Sequence, residues 1–268
     1  SLTVPPSPGS GGRGVADLRS GARPCAAQQF GSANREDASD RCSHAHCRYD
    51  FNDPRLPIDF QWLRTPHPDE IFSLTARPGH LRLIGRETIG SLFRQSLVAR
   101  RQQSHCITVA TVVEFEPEHF QQSAGLVCYY NSSKFHYLYI SHDEMIDKHL
   151  RVMSCSPDSP QTDSFTGSIA IPAGKPVHLR AEIDCERLRF GYRVEGVDGD
   201  WVWLPQQFDA SILSDEATVP GQPNFTGAFV GLACQDVSGR AKSADFDFFQ
   251  YEDRVYSPNP CLNPPRHL

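Results

Sequence analysis

The 268-residue chain has no apolar run approaching the roughly 18 residues that a membrane-spanning helix needs, and its first residues lack the apolar core of a secretory signal. Basic residues are in the minority, 26 against 32 acidic ones for a net charge of −6, and basic clusters do not exceed pairs such as Arg100-Arg101. A nucleic-acid surface needs a basic stripe or patch, so neither nucleic acid nor a membrane is expected as a partner. The P-loop signature and Gly-x-Ser-x-Gly are both missing, which argues against nucleotide chemistry and against a serine triad; no cofactor is expected. No 20-to-50-residue repeat is visible, so a propeller or solenoid is disfavoured for this chain. Its opening, Ser-Leu-Thr rather than Met, suggests a fragment or processed piece.

What is present reads as one large β domain. Residues 1–48, rich in Gly, Ser, Pro, Ala and Arg without apolar periodicity, are expected to be linker or disordered. Residues 49–255 are expected to form a β-sandwich and 256–268, with four prolines, an irregular tail. Strand-like segments recur every 8 to 15 residues, among them 60–63, 81–85, 91–101, 105–116, 125–131, 135–143, 149–154, 167–171 and 244–252. The clearest pair alternates Val177, Leu179, Ala181, Ile183 and Cys185 with polar residues, then Leu188, Phe190, Tyr192 and Val194 with arginines. A period of two means antiparallel strands with one wet face, and cross-strand pairing sets the acids of the first beside the arginines of the second. Asp198-Gly199-Asp200 reads as a hairpin turn or part of a longer loop, and 209–213 as one helical turn. These signals give an all-β fold, a two-sheet antiparallel jelly-roll sandwich.

The segment 224–236, Asn-Phe-Thr-Gly-Ala-Phe-Val-Gly-Leu-Ala-Cys-Gln-Asp, reads as a buried strand entered from the loop Pro220-Gly221-Gln222-Pro223. Phe225 sits where loop becomes strand. Its residue type favours a cap on the core, while its position on a loop edge also suits a residue that meets a ligand.

Other constellations carry sharper chemistry. Of nine cysteines, Cys106, Cys128, Cys155, Cys185 and Cys234 fall in apolar strand-like runs and behave as small hydrophobes, which favours a reducing, cytoplasmic compartment. Cys42-Ser-His44-Ala-His46-Cys47 has the ligand types of zinc, but its ligands are too close in sequence to wrap a metal. His136 and His142 could share one strand face, yet lack an acid partner and read as packing residues, so no metal site is expected. Glu182-Ile-Asp184-Cys-Glu186 resembles the strand signature of family 16 jelly-roll glucanases, which implies independent catalysis. On a strand its outer carboxylates have Cα atoms roughly 13 Å apart, against carboxyl groups about 5 to 5.5 Å apart in retaining enzymes. Trp201, Trp203, Tyr129, Tyr130 and Tyr137 could form a sugar-stacking platform, although aromatics in strands more often build core. Asn131-Ser-Ser and Asn224-Phe-Thr are glycosylation sequons, meaningful for a secreted chain.

Nine stretches in order resemble one family. They are Phe60-Gln-Trp-Leu-Arg64, Leu83-Ile-Gly-Arg-Glu-Thr88, Val98-Ala-Arg-Arg101, Phe120-Gln-Gln122, Ala124-Gly-Leu-Val127, Tyr129-Tyr-Asn131, Phe225-Thr-Gly-Ala-Phe-Val-Gly231, Cys234-Gln-Asp236 and Ala244-Asp-Phe246. Together they resemble the C-terminal concanavalin A-like sandwich of family 43 β-xylosidases over about residues 50–253. The resemblance implies a non-catalytic role in xylan or xylo-oligosaccharide breakdown. It further implies that the sandwich packs on an N-terminal five-bladed propeller bearing the catalytic carboxylates, and that its Phe225 is lent to the rim of the sugar pocket. An Asn precedes Phe225 where the family pattern leads one to expect an apolar residue.

Overall fold

The structure, a computed structural model, describes residues 46–156, 159–217 and 224–254. Two eight-stranded sheets, with every named pairing antiparallel, face each other. With strands numbered in chain order, the first sheet runs Val202–Asp209 (β14), Arg187–Val194 (β13), Val177–Asp184 (β12), Cys106–Glu114 (β6), Ser243–Asp253 (β16), Leu81–Ile84 (β4) and Phe72–Ser73 (β3). His46–Tyr49 (β1) also pairs with β16. The second runs Ser159–Phe165 (β10), Asp147–Ser156 (β9), Lys134–Asp143 (β8), Gln122–Asn131 (β7), Phe229–Asp236 (β15), Ser96–Arg101 (β5) and Phe60–Trp62 (β2), with Ile169–Ala170 (β11) beside β9. Chain-distant strands such as β6 and β16, or β7 and β15, lie side by side, which is the jelly-roll wiring expected of the sequence.

The two sheets bury their inner faces in different sequence patterns. In β12, Val177, Leu179, Ala181 and Ile183 are buried against the second sheet, with Leu126, Leu138, Val230 and Leu232 from the latter in the same core. The pairing Glu182↔Arg189 sets acid against arginine as the alternation predicts. The second sheet is buried on both faces. Val127, Tyr129, Phe135, Tyr137 and Ala233 form a second apolar layer on its outer side, with Ile89 and the partly buried Leu63, Met153 and Phe229 packed on it. Strands covered on both sides read as continuous apolar runs rather than alternating ones, which is the character of β7 and β8.

Several boundaries differ from the sequence reading. His46, Cys47 and Arg48, expected in a linker, belong to β1, because pairing with β16 satisfies their backbone groups and sends Cys47 into the core. The strand expected over 91–101 starts at Ser96, since Gln95 turns inward to bond the Ile89 carbonyl. Asp198-Gly199-Asp200 lies in the longer loop between β13 and β14, where the Asp198 carboxylate accepts from Val194 N at 2.8 Å. Ala210–Leu213 form the expected helical turn, a 3-10 turn capped by Asp209.

Candidate functional site

The strand expected over 224–236 begins only at Phe229, and 224–228 form a loop at one end of the second sheet. Side chains from three directions hold this loop. Asn224 Nδ2 donates to the carbonyls of Asp215 (3.2 Å) and Ala217 (3.0 Å). Thr226 N donates to Tyr130 Oη at 3.3 Å, and Arg101 donates to the Thr226 carbonyl. Gly227 has φ of +72°, and a Cβ there would lie 2.6 Å from the Arg101 guanidinium, so glycine is what lets the loop turn and Arg101 reach across it.

Beneath the loop sits Lys134, buried in β8. Its Nζ donates to the carbonyls of Ser214 (2.7 Å) and Ala217 (2.9 Å) and lies 3.5 Å from the centre of the Tyr130 ring. Burial pulls its pKa down, but the carbonyl dipoles and ring face compensate the cation. Tyr130 Oη donates in turn to the Asp215 carboxylate. Held in this way, Phe225 projects into solvent with 87% of its surface exposed. The core-cap reading of Phe225 is thereby overturned: the polar neighbours Asn224 and Thr226 take the inward bonds and leave the aromatic outside. Asn224, the departure from the expected apolar residue, is one of the pins.

Beside the loop opens a cleft of about 480 Å³ whose lining includes Gln102, His105, Cys185, Glu186, Asp215 and Gly227. The acidic triplet Glu182, Asp184 and Glu186 does not act across it as a catalytic set. β12 ends at Asp184, and Cys185 and Glu186 form the two-residue turn into β13, with Cys185 at φ +55°. The three acids therefore do not share one strand face. Glu182 is buried and clamped by Arg180 at 2.7 Å and Arg189 at 2.5 Å, so that each of its carboxylate oxygens already faces a guanidinium. Cys185 is likewise exposed at the turn rather than inside a strand.

The remaining sequence candidates resolve as follows. Tyr129, Tyr130 and Tyr137 are buried, so they cannot stack on a sugar; Trp201 and Trp203 lie half-buried under Arg180, and Trp203 also under Arg189. His136 lies between the sheets, its ring nitrogens bonded to Ser154 Oγ (2.7 Å) and the Asp209 carbonyl (2.9 Å). Burial lowers its pKa to about 4. His142 lies 3.8 Å from Asp147 and is not brought to His136. Cys42 and His44 lie outside the described residues. Lys134 was missed by sequence reasoning, since a lysine in a strand reads as solvated surface, and Tyr130 was read as part of a sugar platform rather than as the ring under the loop.

A family model described as the β-xylosidase C-terminal concanavalin A-like domain matches residues 48–252. The chain belongs to that family. It is 41% identical over 206 residues to a β-xylosidase of Bacillus subtilis (strain 168), covering 76% of this chain and 38% of that protein. It is also 41% identical over 208 residues to xylosidase/arabinosidase 43B of Humicola insolens, with the same coverage of each. Among solved structures, xylan β-1,4-xylosidase from Bacillus halodurans C-125 superposes with a TM-score of 0.72 at 37% identity, over 77% of this chain and 39% of that one. The chain thus spans about two fifths of the length of the relatives it matches.

Proposed function

We propose that this chain is the non-catalytic sandwich of a glycoside hydrolase that cleaves β-xylosidic bonds in xylan or xylo-oligosaccharides. In this reading it docks on an N-terminal five-bladed propeller that carries the catalytic carboxylates, and Phe225 closes the rim of the sugar pocket. The observation that carries the reading is an aromatic left 87% exposed on a loop that Asn224, Tyr130 and Arg101 hold in place. Ordering a loop around an unburied apolar group costs conformational entropy with no return inside this domain, which suits a side chain whose partner lies outside it. The relatives named as a β-xylosidase and a xylosidase/arabinosidase, each more than twice as long as the matched region, support the same division of labour. Proton transfer is left to the propeller, because Glu182 is clamped by arginines and Glu186 sits in the turn, off the strand face it would have to share.

The test is hydrolysis of a nitrophenyl β-xyloside by this chain on its own and by the same chain joined to a family 43 propeller. Only the joined form should turn over. Hydrolysis by the chain alone that disappears in Glu182→Gln or Glu186→Gln would defeat the proposal and return the family 16 reading.

A further inference from the structure

The cleft carries at one edge a second cluster that the sandwich role does not use. Cys106 opens β6 and is paired in register with Asp184, the last residue of β12. Cys185 follows in the turn, fixed by its N–H donating to the His105 carbonyl at 2.9 Å. The two sulfurs are 3.9 Å apart, and the Cys106 thiol donates to Asp184 Oδ1 at 3.3 Å. All three ligand atoms lie within 4.8 Å of one another, the one such grouping of three among the described residues.

These spacings match a metal better than a disulfide. Two thiolates bound tetrahedrally at about 2.3 Å from zinc sit roughly 3.8 Å apart, and a thiolate and a carboxylate oxygen roughly 3.6 Å apart. A disulfide would require the sulfurs to close to about 2.05 Å. We propose that Cys106, Cys185 and Asp184 form a binding site for a thiophilic divalent cation, zinc being the ion that fits, with its fourth position filled by water. Binding forms two S–Zn bonds and one O–Zn bond and releases the two thiol protons to solvent. The strand register and turn already gather the three ligands, so little chain ordering opposes binding. The ion would clip the start of β6 to the β12–β13 turn and stiffen the wall of the cleft.

The full chain, reduced and stripped of metal, is titrated with cobalt(II) as an optical probe and competed with zinc. One equivalent should develop a thiolate-to-cobalt charge-transfer band that zinc abolishes. Cys185→Ser, at an exposed turn position, should remove the band with the circular dichroism unchanged. Asp184→Asn should weaken cobalt binding at least about tenfold, while Cys42→Ser should leave it unaltered. A reduced chain that gives no band, or a band that survives in Cys185→Ser, overturns the proposal; in the first case a Cys106–Cys185 disulfide found by peptide mapping would assign the pair to redox chemistry instead.

Discussion

Phe225 shows how little a residue type says about the side its chain will take. As a phenylalanine next to an apolar strand it belongs in the core, yet its two neighbours make the inward bonds and it stays in water. Phe225→Ala should accordingly leave the thermal melt of this chain nearly unchanged, whereas a buried phenylalanine would cost about 3 to 5 kcal/mol. If Phe225 lies at the rim of a sugar pocket as proposed, the same change in the joined enzyme should lower kcat/KM about 5- to 150-fold, or about 1 to 3 kcal/mol, because an aromatic there would exclude water and orient sugar without moving protons. Steady-state kinetics beside a melting curve checks both halves; a large drop in melting temperature sinks the assignment. His136 gives a prediction of pH. Its folded pKa, lowered to about 4 by burial, lies below the unfolded value of about 6.5. The neutral ring is therefore favoured in the fold: its contribution is fully present above about pH 6.5 and is lost as pH falls toward 4. The loss is on the order of 3 kcal/mol, and His149 and His178, also lowered by burial, push the same way. Urea midpoints measured from pH 7.5 to 4.5 should fall steeply, and less so in His136→Gln.

Elements were legible where one face is wet. β12 and β13 show in the sequence because Val177 to Ile183 alternate with His178, Arg180 and Glu182, and the cross-strand charge pairing follows from the alternation. The turn at Cys185-Glu186 was hidden by the same regularity: Cys185 continues the apolar phase, and only the pairing of Asp184 with Arg187 ends the strand. The second sheet, buried on both faces, offers no alternation, so the start of β5 and the end of the 224–228 loop could not be placed. Close packing there is visible in glycine instead. A Cβ on Gly125 of β7 would meet the Leu138 carbonyl oxygen at 2.0 Å and the Tyr139 Cα at 2.8 Å, both backbone atoms of β8. Backbone has to move to admit it, so Gly125→Ala should cost about 1 to 3 kcal/mol or more. The measurement is the denaturant midpoint at unchanged m-value; a neutral result would mean β7 and β8 separate more easily than their seven paired residues suggest.

At the scale of the whole molecule, the family and the sandwich were legible from nine short motifs, while which apolar side chains stay in water was not, because exposure is decided by loops. The loop carrying Leu92 and Phe93 reaches the β7–β8 turn, where a Cβ at Gly90 would lie 3.6 Å from the Ser132 carbonyl oxygen. Phe225 stands over the same end of β7, through the bonds of Thr226 to Tyr130. Leu92, Phe93 and Phe225 are 57%, 75% and 87% exposed, so both loops that approach this end of β7 carry large apolar side chains in water. Scattered single apolar residues are ordinary on a surface, but a cluster is the mark of an interface. If this end docks on a propeller, the chain by itself should cover the cluster weakly with a second copy. Sedimentation over a range of concentration should then show a reversible rise in mean mass. The double substitution Phe93→Ser with Phe225→Ser should abolish the rise without lowering the melting temperature, and joining the chain to a family 43 propeller should abolish it as well. A chain that stays monomeric at every concentration, or one whose association survives the double substitution, would place the docking face elsewhere on the sandwich.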